Sequence, residues 1–158
     1  MCEVTIRRAK IMDIPQIDKL LFEVHKVHSD IRPDLFTPGE KKYTDEELER
    51  IIVDEQKPIF VAEHNGRMYG YVFCIFKQDL ESKSVTNIKT LYIDDLCVDE
   101  DSRGTHIGTK LYNYVIDFAK NSGCYNVTLN VWAGNDSAMK FYEHIGLKVQ
   151  KIGMETIL

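Results

Sequence analysis

The sequence predicts an α/β layer structure built on a mixed sheet. Alternating strand-type runs and helix-type runs follow one another in the order βααβββαβαβ. An Asn65-Gly66 step between two apolar runs is the signal of a two-residue hairpin, so part of the sheet is antiparallel. The 158 residues contain no repeat, no low-complexity stretch and no composition shift, so residues 1–158 read as a single domain. A chain of this length buries about 70 % of its unfolded surface and needs no staple.

Val4–Arg8 is the first strand. A helix follows over Ile14–Val27, with Asp13 as N-cap, Pro15 in the first turn, and Ile17, Leu20, Leu21, Val24 and Val27 on one face. His28–Lys42 is polar, holds Pro33, Pro38 and Gly39, and reads as a long loop of the kind that often carries function. Thr44-x-x-Glu47 is a capping box that opens a second helix. Pro58–His64 and Arg67–Phe76 are the two arms of the hairpin, and Ile88–Val98 is the next strand. Gly104–Ser122 is helical, with Ile107, Leu111, Val115, Phe118 and Ala119 on one face. Cys124–Trp132 alternates as a strand, Asn135–Ile145 is a short helix ended by Gly146, and Leu147–Ile157 is expected to be a last strand.

Composition removes several function classes. The net charge of −5, from 20 basic and 25 acidic side chains, lacks the basic stripe of a nucleic-acid binder. No apolar run approaches the ~18 residues of a membrane span, and the charged first twenty residues hold no signal-peptide core, so a cytoplasmic protein is expected. Cys2, Cys74, Cys97 and Cys124 show no metal spacing. Cys74 and Cys97 read as buried free thiols. His25 and His28, one helical turn apart, read as a polar face, and no metal site is expected. The acidic runs Asp45-Glu46-Glu47 and Asp99-Glu100-Asp101 read as solvated surface.

Chemistry concentrates in Leu96-Cys97-Val98-Asp99-Glu100-Asp101-Ser102-Arg103-Gly104-Thr105-His106-Ile107-Gly108: a strand, a turn, then a helix start. Small residues at such a turn let backbone N–H groups approach an anion, and the free N–H groups and dipole of the helix add to the site. Arg103 can present a fork of charged donors to phosphate oxygens. An ordinary tight turn is the plain alternative, and neither a Walker A motif nor G-x-G-x-x-G is present.

Arg103–Gly108 resembles the R/Q-x-x-G-x-G/A loop of the GNAT superfamily of N-acetyltransferases, with His106 where that family usually has Gly. A second block, Asn135-Asp136-Ser137-Ala138-Met139-Lys140-Phe141-Tyr142-Glu143-His144-Ile145-Gly146-Leu147, is similar to the family's N-x-x-A-x-x-F-Y-x-x-x-G-F/L signature. The resemblance covers the chain from about Val61 onward. It implies a three-layer fold with a mixed sheet of about six to seven strands and about four helices. It also implies acetyl-CoA as co-substrate, direct transfer to an amine, and no metal. Acetyl-CoA would be held by Leu96, Cys97, Val98, Arg103, Gly104, Thr105, His106, Ile107, Gly108, Thr109, Asn135 and Tyr142. Val98 would act through its backbone N–H on the thioester carbonyl. Tyr142 would be the general acid for the departing thiolate, although its helical spacing also suits a core residue. Asn135 suits a helix N-cap as well as a cofactor contact.

Leu91-Tyr92-Ile93-Asp94-Asp95-Leu96-Cys97-Val98 looks like the L-Y-x-E-D-x-x-V stretch of the diamine acetyltransferase branch. That similarity selects Asp94 as the base. Alternation along a strand would turn Asp95 to the other face unless a bulge intervenes. The implied partner is a small primary amine, a polyamine among the candidates, and a homodimer is compatible. The alternatives are a longer-chain acyl transferase, a protein N-terminal or lysine acetyltransferase, and an acyl-CoA-binding module without catalysis.

Overall fold

The computed structural model describes residues 3–158; Cys2 lies outside the described residues. Five strands, β1 (Thr5–Arg8), β2 (Ile59–His64), β3 (Arg67–Lys77), β4 (Thr90–Val98) and β5 (Asn126–Leu129), form one sheet in sequence order. The first three pairings are antiparallel and β5 joins β4 in parallel. Helices α1 (Ile14–Ile31), α2 (Asp45–Ile52), α3 (Ile107–Asn121) and α4 (Asp136–His144) complete the α/β fold.

Local chemistry explains the well-formed elements. Asn65 and Gly66 both take positive φ, 50° and 78°, which matches the twist of the β2–β3 hairpin. The Glu47 N–H donates to Thr44 Oγ1 at 3.1 Å and the Thr44 N–H to Glu47 Oε1 at 3.2 Å, so both halves of the α2 capping box form. The sheet has an apolar cluster on each face. Ile17, Leu20, Leu21, Leu48, Val61, Tyr71 and Phe73 pack between the sheet, α1 and α2. Phe60, Val72, Leu91, Ile93, Leu111 and Val115 pack between the sheet and α3. The result is a three-layer arrangement, as the family resemblance implies.

The structure departs from the sequence reading in several places, and β5 keeps only Asn126–Leu129 of the expected Cys124–Trp132. Helix α1 runs one turn past Val27, through His28-Ser29-Asp30, because Ser29 Oγ satisfies itself on the Lys26 carbonyl at 3.1 Å and can be buried. Asp99 is not a solvated acid: it is 2 % exposed and lies near Lys19 and Arg67 at 3.6 and 3.5 Å. The last strand does not form. Residues 148–158 are exposed and make no ladder, so the sheet holds five strands rather than six or seven. Alternation signals a half-buried strand, but a strand exists only beside a partner, and this segment has none within its own chain.

Candidate active site

The site forms where β4 leaves β5. The β4–β5 ladder ends at Ile93↔Leu129, while β4 continues to Val98. Beyond Ile93, the side of β4 turned from β3 therefore has no strand partner. The Asp99 N–H donates to the Tyr69 carbonyl on β3 at 2.8 Å. Alternation then turns the Val98 N–H the other way, into the opening. Gly70 on β3 makes this end of β4 close-fitting. A Cβ there would lie 2.8 Å from the Cys97 carbonyl oxygen and 3.1 Å from a Leu111 methyl.

A bulge decides where the two carboxylates go. Phe73 pairs with Asp95 and Cys74 with Ile93, leaving Asp94 as the extra residue. Ile93 and Leu96 consequently both serve the α3 face, and Asp94 and Asp95 both turn to the α1/α2 face. Tyr43 donates to Asp94 and stacks on Phe73 with ring centroids 5.6 Å apart; Lys42 Nζ pairs with Asp94 at 3.0 Å. Tyr71 donates to Asp95 at 2.9 Å. Asp95 is buried, and burial outweighs the Tyr71 hydrogen bond, pushing its pKa up to about 6. Burial likewise raises Cys97, whose thiol is close to the Leu20 carbonyl at 3.6 Å and faces α1. A neutral buried thiol is no nucleophile.

The turn after β4 presents donors. Asp99 caps a short 3-10 turn (Glu100–Ser102) through the Asp101 N–H at 3.1 Å, and Thr105 Oγ1 donates to the Ser102 carbonyl. Gly104 and His106 take positive φ, 83° and 65°, and His106 stands at the N-cap of α3 without a side-chain cap bond. The first N–H groups of α3, on Ile107, Gly108 and Thr109, have no intrahelical acceptor and receive no cap. Arg103 is exposed and forms no ion pair among the described residues. His106 adopts the left-handed backbone that glycine takes freely, with its imidazole on the exposed side. These free donors suit a pyrophosphate.

Helix α4 closes the site. A Cβ on Gly108 would lie 3.1 Å from Phe141 and 3.5 Å from Val98, so this glycine locks β4, α3 and α4 together. Phe141 meets Tyr142 edge-on at 5.3 Å. Burial raises the Tyr142 pKa, and Asp95 and Cys97 add to the shift, which brings the phenol and Asp95 into one electrostatic neighbourhood. Asn135 stands at the N-cap of α4 without a side-chain cap bond; its Oδ1 accepts from Ser137 Oγ at 3.5 Å, which leaves the amide NH2 for another partner. Leu96 and Val98 are half-buried against α3.

The long loop reaches the same region. His25 Nε2 lies 2.7 Å from the Thr37 carbonyl, and Phe36 packs against His25, His28 and Trp132 at 5.4–5.7 Å. The two histidines thus hold the loop rather than forming a free polar face. Burial and nearby Lys42 lower the His28 pKa. No cluster of metal-ligating side chains exists among the described residues. Lys42, Tyr43, Gly70 and Tyr71 went unmarked in the sequence, because each earns its place through contacts between distant segments.

The comparisons identify the class to which this fold and this site belong. Residues 24–147 match the model of the acetyltransferase (GNAT) family, and the chain belongs to that family. An uncharacterized N-acetyltransferase of Methanocaldococcus jannaschii is 28 % identical over 150 residues, 94 % of this chain and 62 % of that protein. N-alpha-acetyltransferase 30 of Schizosaccharomyces pombe is 38 % identical over 87 residues, 55 % of each chain. The chain thus spans between half and two thirds of these relatives' lengths. Among solved structures, a tetramutant of the BH1408 protein of Bacillus halodurans superposes with a TM-score of 0.93 at 28 % identity, covering 98 % of this chain and 99 % of that one.

Proposed function

We propose that this protein is an acetyl-CoA-dependent N-acetyltransferase acting by direct transfer onto a small primary amine. The observation that carries the reading is the opening of β4 from β5 past Ile93, with the free donors of α3 at one end and the Asp94–Asp95 pair at the other. Acetyl-CoA would lay its pyrophosphate on Arg103, Gly104, Thr105, His106, Ile107, Gly108 and Thr109. Its pantetheine arm would run along Leu96, Cys97 and Val98 toward Asn135.

Each remaining step falls to a group of the right kind. Asp94 receives the acceptor's ammonium; Lys42 Nζ, at 3.0 Å, supports this because it is an alkylammonium held by the same carboxylate. An alkylammonium with a pKa of about 10.4 must lose a proton before it can attack. Similarity to the diamine branch favours Asp94 as the proton acceptor. The bulge adds Asp95, whose pKa of about 6 is better suited to neutral pH. We assign the proton to Asp95 and the ammonium contact to Asp94. The amine nitrogen then attacks the thioester carbonyl, the Val98 N–H stabilises the oxyanion, and the C–S bond breaks. Tyr142, kept neutral by burial, donates to the leaving sulfur and regains a proton from the second one released by nitrogen. The products are the N-acetyl amine and CoA.

A panel of diamines, polyamines and amino metabolites, assayed for CoA release, tests the proposal; peptides with free N-termini belong in the same panel, since the Schizosaccharomyces pombe relative is named an N-alpha-acetyltransferase. Turnover on peptides alone would replace the small-amine reading. CoA binding without turnover on any amine would leave a binding module. Failure to bind CoA in calorimetric titration would remove the site altogether.

A further inference from the structure

Both carboxylate oxygens of Asp94 are engaged before any acceptor arrives. Tyr43 donates to Oδ2, and Lys42 Nζ pairs with Oδ1 at 3.0 Å. Lys42 Nζ also donates to the Asp94 main-chain carbonyl at 3.3 Å. The Asp94 side chain is 12 % exposed and that of Lys42 is 42 % exposed. Tyr43 is half-buried and held by its stack on Phe73. Lys42 is therefore the partner that can leave. With so little of the carboxylate open, an acceptor ammonium reaches Asp94 by taking the place of Lys42.

Exchanging one alkylammonium for another gains little by itself. Asp94 holds one cation before and one after, and a tethered ammonium competes at an effective concentration on the order of mM. Selection among acceptors then depends on what the displaced Lys42 meets. Among the described residues Lys42 pairs with Asp94 alone, and neighbouring Lys41 is itself taken up by Asp18 and Asp45. His28, near enough for the Lys42 charge to help lower its pKa, offers no anion. A second cation on the acceptor, as in a diamine, would meet Lys42 as a like charge. An anionic group on the acceptor would meet it as a partner.

We propose that the acceptor is a zwitterionic amine, with a carboxylate or phosphate a few bonds from its ammonium, that inserts between Asp94 and Lys42. The proposal rests on the reading of this site as an N-acetyltransferase and narrows its substrate class. Asp94 takes the ammonium, Lys42 turns to the anion, and neither side chain is left unpaired. Lys42 then determines specificity and takes no part in the transfer. Diamines and polyamines, which the sequence around Asp94 suggests, are poor acceptors in this arrangement.

Initial rates of CoA release at saturating acetyl-CoA and low salt test this with β-alanine, phosphoethanolamine, propylamine and putrescine. The wild type should favour at least one anion-bearing amine over propylamine by about tenfold in kcat/KM, the effect of one charge-assisted contact, and over putrescine by more. The better of β-alanine and phosphoethanolamine identifies the anion. Lys42→Met should bring these ratios to about one or invert them, while Lys42→Arg should keep the wild-type order. Ratios within one protein do not depend on how much of a variant is folded. A wild type that favours putrescine, or ratios that Lys42→Met leaves unchanged, overturns the proposal while the acetyltransferase reading stands. Absence of CoA release with every amine overturns both.

Discussion

The two ends of the opening beside β4 are built on opposite plans. At the acid end every carboxylate has partners before any ligand arrives: Tyr43 and Lys42 serve Asp94, and Tyr71 serves Asp95. At the loop end the donors are left over: α3 is uncapped, Asn135 makes no cap bond, and Arg103 pairs with nothing among the described residues. Groups that move protons must hold a set pKa and position, which demands fixed neighbours. Groups that bind an anion need donors that water can leave cheaply, which demands vacancy and an exposed surface. Substitutions at the first end should change rate and pH dependence, and those at the second should change affinity.

Asp95→Asn should break the acid end most severely. Removing a proton acceptor lowers kcat/KM by about 10²–10⁴-fold. The wild-type rate should rise as pH passes about 6 and Asp95 ionises, and the variant should lose that limb. Stability should move the other way. Asp95 has its pKa raised from 3.8 to about 6 in the folded state, so the folded state binds the proton more tightly than the unfolded one. The cost of ionising it is absent at low pH, grows as pH rises through that window, and is complete above it. At 1.36 kcal/mol per unit, the Asn variant should gain at most about 3 kcal/mol at pH 7 and nothing near pH 3. A variant that is slow and also less stable at pH 7 would show that Asp95 is ionised at little cost, and the comparison of the two ends would lose its basis.

Tyr142→Phe stands second. Turnover should fall about 10²-fold while the acetyl-CoA dissociation constant changes less than about twofold, because the phenol meets the sulfur only as charge develops there. Equal losses in both quantities, measured by stopped assays and calorimetry, would move Tyr142 from the acid end to the binding end.

Arg103→Ala should act only on binding. One charge-assisted contact to phosphate contributes about 1.5 kcal/mol at an exposed position, or roughly tenfold in acetyl-CoA affinity, and its contribution should shrink in high salt. A salt-independent loss, or a fall in kcat at saturating acetyl-CoA, would mean that Arg103 shapes the turn rather than binding the anion.

Most of this fold was legible because its signals are local. The Asn65-Gly66 turn, the Thr44–Glu47 capping box and the helical faces each act within a few residues. The turn at 103–108 and the helix start after it were legible for the same reason. The carboxylate pair was not, since alternation assigns Asp94 and Asp95 to opposite faces, and only the two-against-one pairing with Phe73 reverses that. No sequence signal marks the bulge: it depends on how β3 and β4 register over their full length. Asp99 was misread because an acid in an acidic run looks solvated until Lys19 and Arg67 arrive from other segments. Leu147–Ile157 failed as a strand for a related reason, since pairing is a property of two segments and periodicity describes one.

His106→Gly should have the smallest effect and tests the loop end most finely. His106 holds φ 65° and ψ 15°, a left-handed conformation that costs a residue with a Cβ about 1–2 kcal/mol. Glycine removes that strain but loses about 0.5–1 kcal/mol through the freedom of its unfolded chain. The variant should therefore gain about 0.5–1 kcal/mol, a rise of about 2 °C in Tm for a domain of this size. The imidazole is exposed and makes no cap bond, so the backbone N–H groups of the turn keep their direction when it is removed. Acetyl-CoA affinity should stay level or rise slightly, because the side chain is the only bulk that glycine would not place near the anion. If affinity instead falls, the imidazole is itself a phosphate ligand. His106 would then be a functional donor gained in place of glycine, and the backbone strain at 106 would be the cost of positioning it.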